Sequence, residues 1–164
     1  MTDLATHSES GGFIKHADRI VRPLGPRSEP AVQGLLRRCG QSSRNPVTRQ
    51  MILDLISQST EPAITWTAGL FVANELTGVT RASVASREGH VEAMLFVDEE
   101  WRRQGIGSML LRETVDWSRR CDATALRLVC ERTDWPMRHL AEKFGARLDL
   151  VFGQIVADIP LVQQ

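Results

Sequence analysis

The sequence contains no tyrosine, so no phenolic hydroxyl can give or take a proton anywhere in it. Cysteine is scarce. Cys39, Cys121 and Cys130 are too few and too irregularly spaced for a disulfide framework or a thiolate metal site, and the absence of a CxxC pair predicts structural thiols in a reducing compartment. Histidine offers no metal site either, because His7, His16, His90 and His139 lack ligand spacing and no HExxH occurs. Charge of one sign is not in excess: 20 basic and 20 acidic groups cancel, which removes the monopole that draws nucleic acid. Lysine is nearly absent, with Lys15 and Lys143 the only two, and the other basic residues are arginine. No run reaches the roughly 20 apolar residues of a membrane helix. Met1 to Gly12, rich in Ser, Thr, Gly and acid, has no basic start or apolar segment of a signal peptide. These absences predict a cytoplasmic protein with no nucleic-acid and no membrane partner.

What is present is an ordinary core. A chain of 164 residues, 42% hydrophobic, is long enough to bury roughly 70% of its unfolded surface as one domain. The polar start predicts a flexible tail over 1–17 and a single domain over 18–164. Asp18 to Pro23 reads as a strand closed by Gly25-Pro26, and Glu29-Pro30 opens a helix of about ten residues with Gly40 as its stop. Met51, Ile52, Leu55 and Ile56 recur at helical spacing and predict a second helix from Pro46 to about Ser59. The period then changes. Ile64 to Ala73 and Gly78 to Ser86 form a hairpin pattern, followed by a strand from His90 to Val97. Beyond Gly105 the order becomes a helix to about Arg120, a strand from Leu126 to Cys130, a helix from Trp135-Pro136 to Gly145, and two strands hinged at Gly153. This is an α/β domain with a mixed sheet and helices on both faces.

The most specific local pattern is Val97-Asp98-Glu99-Glu100-Trp101-Arg102-Arg103-Gln104-Gly105-Ile106-Gly107-Ser108, between a strand and an amphipathic helix. The first N–H groups of a helix have no internal partner and sit at the positive end of its dipole, so a diphosphate can be held there by main-chain donors. Two glycines let the backbone approach such a ligand closely, although tight packing alone can also require them. No Gly-Lys-Ser or Gly-Lys-Thr follows, which excludes a triphosphate loop. The dinucleotide fingerprint fails for want of its third glycine and following βαβ unit.

Arg102-x-x-Gly105-x-Gly107 resembles the acetyl-coenzyme A signature of the GNAT N-acetyltransferases, in its expected place after a fourth strand, and the resemblance extends from Arg19 to Leu161. It implies a GNAT-like fold with a mixed, mostly antiparallel central sheet and helices on both faces. It also implies acetyl-CoA as cosubstrate, with the pyrophosphate on Gln104, Gly105, Ile106, Gly107 and Ser108, beside Arg102 and Arg103. Pantetheine would pair with Leu95, Phe96 and Val97 as an added strand. Asp134 and Arg138 fall in the family's coenzyme-side helix, and Arg138, Lys143 and Arg147 could meet the coenzyme's 3′-phosphate or adenine end. A finer likeness, carried by Arg22-Pro23-Leu24, Arg37-Arg38 and Ser43-Arg44, is to bacterial Pat-like protein-lysine acetyltransferases. It makes a protein lysine the favoured acceptor, with a small amine or amino acid as the alternative and a monomer or homodimer as the assembly.

Acyl transfer to an amine needs a neutral nucleophile, a polarised thioester carbonyl and a proton for the departing thiolate. Glu92, the acid of the fourth strand, is the candidate base, with His90 as the weaker alternative; period two sets both on one face with Met94 and Phe96. Pairing of Glu92 with Arg81, or plain solvent exposure, is the structural alternative. A backbone amide near Val97 would polarise the carbonyl. Where the family usually has Asn, Leu-Tyr and Gly-Phe, this chain has Asp134, Leu140-Ala141 and Gly145-Ala146. The missing tyrosine leaves the thiolate without its usual proton donor. That opens a third reading, a non-catalytic acyl-CoA sensor.

Overall fold

The computed structural model describes residues 18–42, 65–85 and 89–161. The expected helix from Pro46 to Ser59, the tail over 1–17 and Ser43-Arg44 lie outside them. Seven strands form one sheet: β1 (Arg19–Pro23), β2 (Thr65–Val72), β3 (Glu75–Val84), β4 (His90–Val97), β5 (Ala125–Glu131), β6 (Arg147–Val151) and β7 (Gln154–Pro160). Their order is β1-β2-β3-β4-β5-β7-β6, and only β4 and β5 run parallel. A parallel pair needs a crossover, which is supplied by the helix α2 (Ile106–Arg120).

Helix α1 (Glu29–Ser42) covers one face, where Val32, Leu35 and Leu36 pack on Phe71, Leu76 and Val79. It runs past Gly40, the expected stop; a helix interior accepts one glycine at a cost of about 1 kcal/mol. The opposite face carries α2 and α3 (Trp135–Lys143). Along α2 the buried residues Ile106, Leu110, Leu111, Thr114, Val115, Trp117 and Ser118 follow helical spacing. Trp117 stacks on Trp66 of β2, with ring centroids 5.8 Å apart. Thr114 and Ser118 are buried without penalty, because Thr114 bonds Leu110 O and Thr80 Oγ1 while Ser118 bonds Thr114 O.

Strand β3 begins three residues earlier than its apolar pattern predicts. The turn into it is only Ala73-Asn74, both left-handed with φ of 48° and 68°, which is the geometry of a tight two-residue hairpin. Ala is a poor residue for that conformation, so the sequence hides the turn.

Gly78 of β3 sets how closely α2 approaches the sheet. A Cβ there would lie 2.9 Å from Leu110 Cδ1, 3.0 Å from the Phe96 carbonyl oxygen and 3.1 Å from Ile106 Cγ2. Gly78→Ala is therefore expected to destabilise the chain by about 1–3 kcal/mol through overpacking, a fall of several degrees in Tm. A melting curve identical to wild type would show that the helix has slack the packing denies.

Candidate active site

The site is built where β4 and β5 part. Their pairing runs from His90 with Ala125 to Ala93 with Leu128 and goes no further. Beyond it β4 stays paired with β3 up to Val97, and β5 stays paired with β7 up to Glu131. Each strand is thus held by its outer neighbour while the inner edges separate, as a ligand inserted between them would require. The direction of the open groups follows from the register. Ala85 N–H donates to His90 O and Asp98 N–H to Thr77 O, so the even-numbered residues of β4 bond to β3. The main-chain groups of Leu95 and Val97 turn the other way, into the split, while Phe96 presents its main chain to β3.

At the open end of β4 the chain is tied down side chain by side chain. Asp98, only 2% exposed, accepts from Glu100 N through Oδ1 and from Arg38 Nε through Oδ2 at 2.8 Å. Arg38 also donates to Leu76 O at 2.6 Å and reaches Glu75 at 3.1 Å, so one guanidinium joins α1, the start of β3 and the end of β4. Arg102 Nε donates to Val97 O at 3.3 Å, and Gln104 Nε2 donates to Glu100 O at 3.2 Å. Arg19, at the start of β1, donates to Gln104 O at 2.6 Å. These donors consume carbonyls and leave amides. Among the described residues, no protein acceptor engages the N–H groups of Ile106, Gly107 and Ser108, which open α2 without an internal partner.

Arg103 and Gly105 both adopt left-handed conformations, at φ of 60° and 81°, on either side of Gln104. Backbone of alternating hand curls successive amides into an anion-binding hollow. The two glycines then serve different ends. Gly105 is needed for its conformation, since an added Cβ would meet nothing closer than Arg19 Nη1 at 3.8 Å. Gly107 is needed for packing: a Cβ there would press on Leu140 Cδ2 of α3 at 3.2 Å. Gly105 thus meets a conformational requirement and Gly107 a packing requirement between two helices.

Glu92, His90, Met94 and Phe96 share one face of β4, as period two predicts. His90 is buried, and its Nε2 lies 3.3 Å from Glu92 Oε1. The Glu92 side chain is 59% exposed rather than desolvated. It borders a cleft of about 310 Å³ at the mouth of the split, with Arg81, Ser83 and Met94 on one side and Arg127 and Val129 on the other. Arg127 is held by a two-pronged pair with Asp158 of β7, at 2.8 and 3.0 Å. Among the described residues Glu92 meets His90, and its exposure matches the solvent-facing alternative read from sequence.

Helix α3 makes local contacts at its start. Asp134 caps the helix, accepting from Met137 N at 3.1 Å. Arg138 lies over the Trp135 ring at 4.3 Å and donates to Arg132 O, although its Nε is buried without a partner. Ala141, at the position of the missing tyrosine, is fully buried in the core. Cys130, near the end of β5, has its thiol pushed up by burial and by Asp134, against a lowering by Arg138, which keeps it a neutral thiol. Arg19 and the pairing of Arg38 with Asp98 were not foreseen from sequence. Only an acid directly after an apolar strand, in capping position for the next turn, hinted at Asp98.

No curated protein matches the chain in sequence. Solved structures match it in fold. The PaiA N-acetyltransferase of Thermoplasma acidophilum, in complex with coenzyme A, superposes with a TM-score of 0.71 at 15% identity, over 87% of this chain and 99% of that one. YncA of Salmonella typhimurium, with its cofactor acetyl-CoA, gives 0.69 at 15% identity over 91% and 96%. The GNAT domain of S. lividans PAT gives 0.71 at 11% identity over 86% and 89%. Residues 30–146, well over half of the chain, match the Acetyltransferase (GNAT) family model. With a parted β4–β5 pair beside a helix start rich in open amides, and that match across both, the chain belongs to the GNAT acetyltransferase family.

Proposed function

We propose that this chain is an acetyl-CoA-dependent N-acetyltransferase that moves an acetyl group to a primary amine. The observation that carries the reading is the split itself: β4 and β5 part after Ala93 and Leu128, next to the turn whose amides are open. The pyrophosphate would lie on the amides of Gln104 to Ser108, and pantetheine would pair with the inward main chain of Leu95 and Val97. Arg102 and Arg103 bound that turn, Arg102 as a brace on Val97 O. Asp134 and Arg138 act on the coenzyme side through the start of α3.

The acceptor reaches the thioester from the cleft beside Glu92. Glu92 takes a proton from the ammonium, the amine attacks the carbonyl carbon, and the Val97 amide stabilises the oxyanion. The C–N bond forms, the adduct's nitrogen passes its remaining extra proton through water to the sulfur as the C–S bond breaks, coenzyme A leaves as the thiol, and Glu92 later returns its proton to solvent. His90 holds the Glu92 carboxylate in place. A protein lysine is the favoured acceptor on the likeness carried by Arg22-Pro23-Leu24, and the exposure of Glu92 suits an amine presented on a protein surface.

A second reading, an acyl-CoA sensor without turnover, is favoured by one observation: Ala141 is buried where the family has a phenol. Calorimetry with acetyl-CoA, followed by a free-thiol assay against proteins and small amines, separates the two. Binding with amine-dependent thiol release supports the transferase. Binding without release for any acceptor selects the sensor, and no binding overturns both.

A further inference from the structure

The coenzyme turn is reached from the far edge of the sheet. Arg19 opens β1, the edge strand, and its Nη1 donates to the carbonyl of Gln104, 85 residues away in sequence, at 2.6 Å. Nothing in the pattern around Arg19 predicts this, yet the contact falls on the peptide unit that enters the left-handed Gly105. In a trans peptide the C=O and the following N–H point in opposite directions. A guanidinium that fixes the Gln104 oxygen therefore also fixes the direction of the Gly105 N–H, which must point away from Arg19.

We infer that Arg19 is a positioning residue for the coenzyme, holding the Gln104–Gly105 peptide so that the Gly105 N–H faces the diphosphate. The inference rests on the coenzyme reading above and adds to it a residue outside the turn. Two observations make the role specific. The turn needs external support, because Arg103 and Gly105 are both left-handed and Gly105 contributes no side chain of its own. The Gln104–Gly105 peptide, which leads into a glycine, can flip at low cost unless something holds its oxygen. The other carbonyls of the turn region, Val97 O and Glu100 O, are held by local side chains, Arg102 and Gln104, whereas Gln104 O is held only through Arg19 among the described residues.

Arg19 also lies on the correct side of the turn to act without blocking it. Its Nη1 is 3.8 Å from where a Cβ of Gly105 would stand, in contact with the turn but behind the peptide it orients. A charge-assisted bond is the stronger kind, and a guanidinium keeps its charge at any working pH.

The test is acetyl-CoA binding by the full chain, followed on ¹⁵N-labelled protein. In wild type the Gly105 amide should move strongly downfield on titration, as an N–H donating to a phosphate does. In Arg19→Met the Kd should rise about tenfold, and the Gly105 response should be lost while those of Gly107 and Ser108 persist. Arg19→Lys, which keeps a cation and a donor on a flexible stem, should recover part of both. A merely structural role would lower Tm and blur all three amides together, and that result overturns the assignment. So does an unchanged Kd, or a Gly105 shift equal to wild type, in Arg19→Met. If Arg19→Met does not fold, Arg19→Gln, which keeps a neutral donor, takes its place with the same expected loss at Gly105. Failure of wild type to bind acetyl-CoA would overturn the coenzyme reading and this one with it, whereas binding by wild type with no response to Arg19→Met overturns this one alone.

Discussion

Gly105→Val is expected to weaken acetyl-CoA binding by about a hundredfold or more while leaving the fold in place. Gly105 sits at φ of 81° and ψ of 4°, a left-handed position that precedes the first turn of α2. Valine, branched at Cβ, is strained there by about 1–3 kcal/mol, and the chain relieves that strain by rotating the peptides on either side. Space is not the obstacle, since the nearest atom to a new Cβ is 3.8 Å away. The site is surface turn rather than core, so the loss falls on the direction of the amides more than on global stability. Each amide donating to a charged phosphate is worth about 1.5–3 kcal/mol, and misdirecting one or two of them gives the stated factor. Gly105→Asn is the matched control. Asparagine tolerates the left-handed region, so binding should stay within about tenfold of wild type. Calorimetry on both variants decides the matter: equal affinity of Gly105→Val and wild type would remove the turn from the coenzyme site.

These expectations differ in how far sequence could have carried them. The apolar spacing of Ile106, Leu110, Leu111 and Val115 specifies α2 because burial of one stripe dictates a 3.6-residue period. The face shared by His90, Glu92, Met94 and Phe96 was legible for the same kind of reason, the two-residue period of a strand. The family resemblance implied pantetheine as a strand added beside Leu95, Phe96 and Val97, and the register shows β4 and β5 parted there. The two glycines were legible as glycines but not as two different requirements, because only the fold brings Leu140 against Gly107 and leaves Arg19 Nη1, 3.8 Å from an added Cβ, as the nearest neighbour at Gly105.

What escaped the sequence was long-range and polar. Arg38 meets Asp98 across 60 residues and Arg19 meets Gln104 across 85, and no periodicity encodes such pairs. An arginine at a strand edge or on a helix flank reads as a solvated charge until the sheet brings its partner close. The start of β3 was missed for a local reason, a tight turn made of Ala73 and Asn74 instead of the usual Gly. The exposure of Glu92 was one of the alternatives the sequence left open: the strand is central, but its face beside the cleft is open.

Glu92→Gln tests the base role directly and is expected to lower turnover by about 10² to 10⁴ while acetyl-CoA affinity stays within about twofold of wild type. The free energy of the reaction is in the thioester, but an amine held as ammonium has no lone pair with which to attack it. Lysine has an ordinary pKa of about 10.4, so only a small fraction is neutral near pH 7, and a positioned acceptor for the proton supplies the difference. Glu92 is placed for that task by geometry. It projects from β4 one residue before the last paired position, Ala93, so its carboxylate stands at the mouth of the split, where the proposed function would bring acceptor and thioester together. His90 Nε2, 3.3 Å from Glu92 Oε1 and buried, limits the rotamers the carboxylate can explore. In the proposed function the coenzyme's phosphates would lie beyond Val97, away from this face, which is why binding and turnover should separate. Gln keeps the size and the contact with His90 but cannot accept the proton, so a loss confined to turnover reports chemistry rather than shape. The measurement is steady-state turnover with an amine that wild type acetylates, together with calorimetric affinity for acetyl-CoA. Turnover of Glu92→Gln equal to wild type would exclude an essential base at this position and leave His90 or bound water to take the proton. A parallel fall in coenzyme affinity would make Glu92 a structural carboxylate instead.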